Sequence, residues 1–169
     1  MNLLLAKIEN LPAIMLIIKD AQAFLASQNI DQWQDGYPEQ EIIRSDIARN
    51  ESYIVTDESK QIMGSATFTT DGEPTYARIE GAWLTPATQQ YGVIHRMAVS
   101  SQSRKTGIAK FFFQKFEQKL RETNIAAMRI DTHEDNLAMQ GLLKKLGYVY
   151  CGIIYLESGS KRLAFEKIM

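Results

Sequence analysis

The stretch HRMAVSSQSRKTGIAKFFFQKFE (95–117) changes character twice, and those changes constrain the fold more than any other feature of the chain. Met97, Ala98 and Val99 read as the end of a strand, and a polar run without aliphatics follows. Beyond Gly107, the residues Ile108, Phe112, Phe116 and Leu120 recur at steps of four, which places them on one face of a helix. A strand that feeds a buried helix through a glycine turn is a building unit of α/β domains. The turn itself allows two readings. One is an ordinary strand-to-helix connection with solvated bases. The other is an anion cradle, because a helix N-terminus leaves its first N–H groups unpaired and carries partial positive charge. Gly107 and Ala109 add little bulk there, so a diphosphate could approach the backbone, with Arg104, Lys105 and Lys110 supplying charge.

Two nucleotide-binding patterns fail on detail. A Walker loop needs Gly-Lys-Ser/Thr, whereas Lys105-Thr106 precede the glycine and Ile108 follows it. A dinucleotide fingerprint needs three spaced glycines near an early strand, and only Gly107 is present.

The rest of the chain supplies the partners such a unit needs. Residues 3–8 read as a strand. Asn10 is the expected cap of a helix with Pro12 in its first turn, where Ile14, Ile17, Ile18, Ala21, Phe24 and Leu25 recur at helical spacing and Asn29 is the stop. IDQWQDGYPEQ (30–40) is a loop carrying Trp33 and Tyr37, and Pro38 opens a short helix with Ile42, Ile43 and Ile47 inward. SYIVTD (52–57) and QIMGSATFTT (61–70) form a hairpin, DGEP breaks it, and TYARIEGAWL (75–84) is a further strand. AAMRIDTH (126–133) is a strand, NLAMQGLLKKL (136–146) a helix ended by Gly147, and residues 148–168 a closing hairpin. The order is β, α, α, three or four strands, α, β, α, β, β. It implies an α/β fold with a mixed sheet and helices on its faces, in a single domain spanning 1–169.

Composition bounds the function. With 169 residues, 45% apolar and 23% charged, the chain has the balance of a soluble globular protein. Its net charge of −1 gives no overall attraction to nucleic acid or an anionic membrane, so neither partner is expected. The one cysteine, Cys151, has no internal partner and no Cys/His cluster has zinc spacing; no metal is expected, and a cytoplasmic location is. The greasy runs at Leu3–Ala6 and Leu11–Ile18 are too short to span a membrane and lack a preceding basic region.

Arg104-Lys105-Thr106-Gly107-Ile108-Ala109 resembles the R/Q-x-x-G-x-G/A signature of the GNAT (general N-acetyltransferase) superfamily. HRMAV resembles the strand before that loop, NLAMQGLLKKLGY resembles the family's later N-(x)10-G-F/Y segment, and the order of elements resembles the family fold over essentially the whole chain. The resemblance implies a mostly antiparallel sheet splayed at a cofactor cleft, and acetyl-CoA as acyl donor for an amine. It also implies that the backbone of Met97, Ala98 and Val99 bonds the pantetheine arm and stabilises the oxyanion. The loop from Arg104 and Lys105 through Thr106, Gly107, Ile108 and Ala109 to Lys110 would hold the diphosphate, and Asn136 would contact the cofactor. Where many members carry a tyrosine as general acid, this chain has Leu143, with Tyr148 or Tyr150, or water, as substitutes.

Acyl transfer to an amine needs a base to take the amine's proton. The resemblance points to His95, on the strand that leads to the loop, and second to Glu80, on the preceding strand; packing and solvation are the alternatives for each. Period-two alternation sets His95 on the face of Met97 and Val99. His133 is a further candidate, or part of a capping turn in which Asp131, Thr132 and Asp135 serve backbone donors. Trp33, Tyr37 and Trp83 are either acceptor-pocket walls or core, and Cys151 reads as a buried thiol. The expected enzyme forms a ternary complex with a small-molecule or peptide amine, and its terminal hairpin could pair edges in a homodimer. A non-catalytic acyl-CoA-binding or sensing module is the alternative.

Overall fold

A computed structural model describes residues 1–169. Its elements are β1 (Asn2–Leu5), α1 (Leu11–Ser27), α2 (Gln40–Ala48), β2 (Ser52–Thr56), β3 (Ile62–Thr69), β4 (Glu80–Gly81), β5 (Tyr91–Val99), α3 (Ile108–Glu122), β6 (Ala127–Thr132), α4 (Leu137–Lys145), β7 (Val149–Tyr155) and β8 (Lys161–Ile168). The expected order of elements is the observed one. The eight strands join in one α/β sheet in the order β1-β2-β3-β5-β6-β8-β7-β4. The β1–β2, β2–β3, β6–β8, β7–β8 and β4–β7 ladders are antiparallel. The β5–β6 ladder is parallel and registers Tyr91–Val93 with Ala127–Arg129, as a strand–helix–strand crossover through α3 requires.

Contacts divide the chain into two compact units: residues 1–68 with 95–115, and residues 69–94 with 116–169. In the first, Leu11, Ile14, Ile17 and Ile18 of α1 pack with Ile43, Ile47, Ile54 and Ala98 in one apolar cluster, and Trp33 lies against it. Phe24, expected on this buried face, is 41% exposed and has another use described below. Asn10 does not cap α1. Its own backbone is already helical (φ −82°, ψ −15°), so its side chain turns back and Oδ1 accepts the Lys7 N–H at 2.8 Å.

In the second unit, Tyr76, Val93, Ile154 and Ala164 are buried together, with Trp83 and Tyr91 packed on them. The segment 75–84, expected to be one strand, is mostly not. Residues Pro74–Ala77 form a 3-10 turn, and only Glu80–Gly81 pair, with Ile153 and Gly152 of β7. The cause is specific. The Tyr76 hydroxyl donates to Asp131 at 2.7 Å and Trp83 Nε1 to the Tyr76 carbonyl at 3.0 Å, which curls the run around its own aromatics. Gly81 and Gly152 then meet face to face at φ 139° and 142°. A Cβ on either would fall 2.1–2.2 Å from the opposing carbonyl oxygen, of Cys151 or of Glu80. The terminal hairpin stands near one end of the sheet order, with β8 between β6 and β7 and only Gly152 and Ile153 of β7 paired with the short β4.

Candidate active site

The β5–α3 connection is built as a tight, partly exposed loop. Ser101–Ser103 form a 3-10 turn, and the Thr106 hydroxyl donates to the Ser103 carbonyl at 2.6 Å. Lys105 (φ 64°) and Gly107 (φ 92°) both take left-handed backbone, which reverses the chain into the helix. Phe111 N donates to Gly107 O at 2.9 Å. The N–H groups of the helix's first turn therefore precede its first i→i−4 bond and have no helical acceptor. A Cβ at Gly107 would meet nothing within 4 Å. Glycine is set here by φ rather than by crowding, and the space over its Cα is open. Lys105, Thr106, Gly107 and Lys110 are exposed, Ala109 is half-buried, and Ile108, 2% exposed, anchors the turn. The donor set of backbone N–H groups, a helix N-terminus and two exposed lysines fits a diphosphate.

The loop is fastened to α1. Asp20 accepts from Ser101 through both its hydroxyl, at 2.8 Å, and its N–H, at 3.3 Å. Those two bonds hold the Asp20 carboxyl below its ordinary range, hydroxyl first. Arg104 does not point over the helix N-terminus: its Nη2 donates to the Asp20 carbonyl at 2.8 Å, and its guanidinium carbon lies 4.3 Å from the centre of the Phe24 ring.

Upstream, Met97 and Val99 are half-buried and Ala98 is buried. Ser100 N donates to Met63 O at 2.9 Å, which ties the end of β5 to β3. The alternation that set His95 on one face with Met97 is broken between them: Arg96 has φ 49°, a left-handed residue inside the strand. Arg96 is the residue that inspection of the sequence missed. Its Nε and Nη2 bind the two oxygens of Asp46 at 2.8 and 3.0 Å, and its Nη1 donates to the Tyr37 hydroxyl at 2.8 Å. Asp46 also accepts from Thr67 at 2.7 Å and Arg49 at 2.8 Å. Tyr37 thus enters as a ligand of Arg96, and Trp33 as part of the first unit's core. The period-two reading of HRMAV gave no sign of this cluster. The one available signal was an aspartate at position 46 between the apolar positions of α2.

The remaining candidates lie in the second unit. Glu80 is exposed on β4, and in the sheet order three strands stand between β4 and β5. Its charge, and a hydrogen bond to it, push the Tyr155 phenol upward. Asn136 caps α4, Oδ1 accepting the Met139 N–H at 3.1 Å. His133 Nδ1 accepts the Asp135 N–H at 3.1 Å, so the DTHEDN turn is stapled by His133 and Asn136. Asp131, Thr132 and Asp135 do not take the expected backbone roles: Asp131 accepts from Tyr76, the Thr132 hydroxyl is buried without a hydrogen bond, and Asp135 faces His133 at 3.7 Å. Tyr148 is buried with its hydroxyl on Glu117 at 3.2 Å; burial, then the Glu117 charge, drives its acidity far down. Tyr150 is exposed, edge-on to Phe165. Leu143 is fully buried, and burial raises the Cys151 thiol. Trp83 packs on Tyr76 and Arg129.

Comparison with known proteins bears on this arrangement. The family model described as "Acetyltransferase (GNAT) family" matches residues 18–148. A crystal structure of a GNAT-family acetyltransferase from Streptococcus agalactiae is 36% identical, with 99% of this chain and 95% of that chain covered, at a TM-score of 0.89. A ribosomal-protein-alanine N-acetyltransferase from Brucella melitensis (18% identity, all of both chains, TM-score 0.69) and the NatC complex bound to Gag peptide and CoA (17%, 99% and 98%, 0.69) share the fold. No curated protein matches the sequence.

Proposed function

The chain belongs to the GNAT acetyltransferase family, and from that premise we propose that it takes acetyl-CoA at the N-terminus of α3 and passes the acetyl group directly to an amine. The observation that carries the reading is the open loop at Lys105–Lys110, where left-handed backbone at Lys105 and Gly107 presents first-turn N–H groups beside two exposed lysines. In this reading the N–H groups from Lys105 to Lys110 hold the diphosphate, and the backbone of Met97, Ala98 and Val99 holds the pantetheine arm. When bound, acetyl-CoA supplies an acyl group already activated as a thioester.

His95 takes the amine's proton on an imidazole nitrogen. It is favoured over Glu80 because it stands on the strand that enters the loop, whereas Glu80 stands at the far end of the sheet order, engaged with Tyr155. Tyr148 is a poor acid for the departing thiolate, since burial and Glu117 hold its proton tightly. Asn136 serves the cap of α4. We take residues 1–169 as one domain, because the family match runs from residue 18 in the first unit to 148 in the second. No helix is long and apolar enough to cross a membrane, and the single buried thiol suits a reducing compartment, which makes the cytoplasm the proposed location. The acceptor is a small-molecule or peptide amine.

The test is CoA release across a panel of amines, including polyamines, aminoglycosides, peptides and lysine derivatives. Release with at least one amine supports the transferase. Tight CoA binding with no release across the panel supports the sensing alternative, which Leu143, buried at the family's tyrosine position, favours. Incubation with acetyl-CoA alone followed by mass spectrometry tests the direct transfer: an acetylated protein that passes its acetyl group to amine would overturn it. Substituting His95→Gln lowers kcat/KM by about 10²-fold if the imidazole is the general base. An unchanged value and pH profile would remove it from that role.

A further inference from the structure

We infer that Arg104 is a positioning residue that clasps the phosphate loop onto α1, rather than a ligand of the diphosphate. The inference rests on the reading that this loop holds acyl-CoA. Asp20 and Phe24 lie four residues apart, so they share one face of α1. That face grips the loop at two points. The Asp20 carboxylate holds Ser101 at the loop's entrance, and the Asp20 carbonyl and the Phe24 ring hold the Arg104 guanidinium three residues on. Arg104 itself has extended backbone (φ −63°, ψ 144°) and Lys105 reverses at φ 64°. The clasp therefore closes immediately before the left-handed turn that presents the N–H groups.

The arrangement explains why Phe24 sits 41% exposed on an otherwise apolar helical stripe: its face is occupied by a guanidinium, a planar cation that stacks on rings where an ammonium packs less well. It also leaves the charge over the helix N-terminus to Lys105 and Lys110. A loop held in its binding form before the ligand arrives pays less ordering entropy on binding. The function of Arg104 is thus affinity through order, with its charge spent on α1.

The two roles differ in three measurable ways. Bind CoA by calorimetry at several salt concentrations to the wild type, Arg104→Gln, Phe24→Leu, the double variant and Lys105→Gln. A positioning role predicts that Arg104→Gln and Phe24→Leu each weaken CoA by about tenfold, from losing a cation–π contact and a charged hydrogen bond. It predicts that the double variant is no weaker than the worse single, and that their salt slopes equal the wild type's, while the slope of Lys105→Gln is shallower. A direct phosphate contact predicts instead a shallower slope for Arg104→Gln and no effect of Phe24→Leu, and that pattern overturns the inference. If the wild type does not bind CoA, the family-based reading of the site fails, and the clasp is judged on the ligand-free protein. Amide exchange over residues 101–107 must be at least several-fold faster in both Arg104→Gln and Phe24→Leu, and equal rates would overturn it.

Discussion

Arg96 and Arg129 are each paired with a buried carboxylate, one in each unit, yet their surroundings differ. Arg129 is 3% exposed and Glu166 not at all. The guanidinium lies between Trp83 and Tyr91, 4.4 and 4.0 Å from their ring centres, and Nη2 donates to the Thr85 carbonyl and hydroxyl. Glu166 also accepts from the N–H groups of Leu84 and Thr85 and the Thr85 hydroxyl. Glu166 and Arg129 Nη2 together fix the irregular chain at Leu84 and Thr85. Arg96 is 13% exposed, its carboxylate is shared with Arg49, and one of its nitrogens is given to Tyr37, in the loop after α1. It also sits at a strained left-handed position beside the proposed base. The enclosed pair is built into the second unit's frame, whereas the Arg96 pair extends one arm to a loop and carries a backbone irregularity next to His95, the proposed base.

The comparison breaks most readily on stability. Arg129→Met leaves Glu166 buried without its cation and costs about 3–5 kcal/mol, read from urea denaturation. Arg96→Met leaves Asp46 with Arg49 and Thr67 and costs about 1–3 kcal/mol. Equal losses would mean that the two pairs are equivalent. The double change Arg129→Met with Glu166→Leu does not recover the wild type, because the Leu84 and Thr85 amides lose their acceptor.

Alkaline pH separates the regions next. Tyr76 and Tyr148, both in the second unit, are buried against carboxylates, and burial first, then those charges, raises their phenols above the ordinary value near 10. The folded state keeps the protons that the unfolded chain releases. The stabilisation is therefore complete below about pH 10 and falls as pH climbs beyond it. Tyr148→Phe reduces that slope in denaturation series run from pH 8 to 11. Smaller still, Tyr37→Phe removes one hydrogen bond from Arg96 and costs about 1 kcal/mol, while raising the acceptor's KM by more than the stability change would suggest. The smallest effect lies at acid pH. Asp20, with a lowered pKa, contributes its bonds to Ser101 above the ordinary carboxylate range and loses them as pH falls through the lowered value, so CoA affinity weakens there without global unfolding.

Legibility in the sequence followed distance along the chain. The α3 face, the Gly107 turn, the α4–Gly147 stop (φ 84°) and the closing hairpin are local patterns and were read from spacing alone. The 104–110 loop was legible as a strand-to-helix turn for the same reason, but spacing left an ordinary turn and an anion cradle both open, and only the resemblance to the GNAT signature pointed to a cofactor there. The segment 75–84 was misread because its alternating residues satisfy a strand pattern, while its actual path depends on Asp131, 55 residues on, and on a glycine of β7. Arg96 was invisible for a related reason. Nothing in HRMAV signals a left-handed arginine, because the aspartate that holds it lies 50 residues earlier. Arg104 was legible as a cation but not in its direction, which Phe24 and Asp20 decide.

The Gly81–Gly152 contact has a consequence for the protein in concentrated solution. A sheet's last strand is the place where a foreign strand can add, and long, flat, apolar edges invite it. Here the last strand is two residues long, carries the Glu80 carboxylate, and lies so close to β7 that neither glycine tolerates a side chain. The contact therefore pins two residues, Glu80 and Gly81, against Ile153 and Gly152 near the middle of the seven-residue β7. Alanine at Gly81 or Gly152 would push β4 off β7 and leave the whole of β7 for another strand to pair with, visible as increased light scattering before any loss of helix.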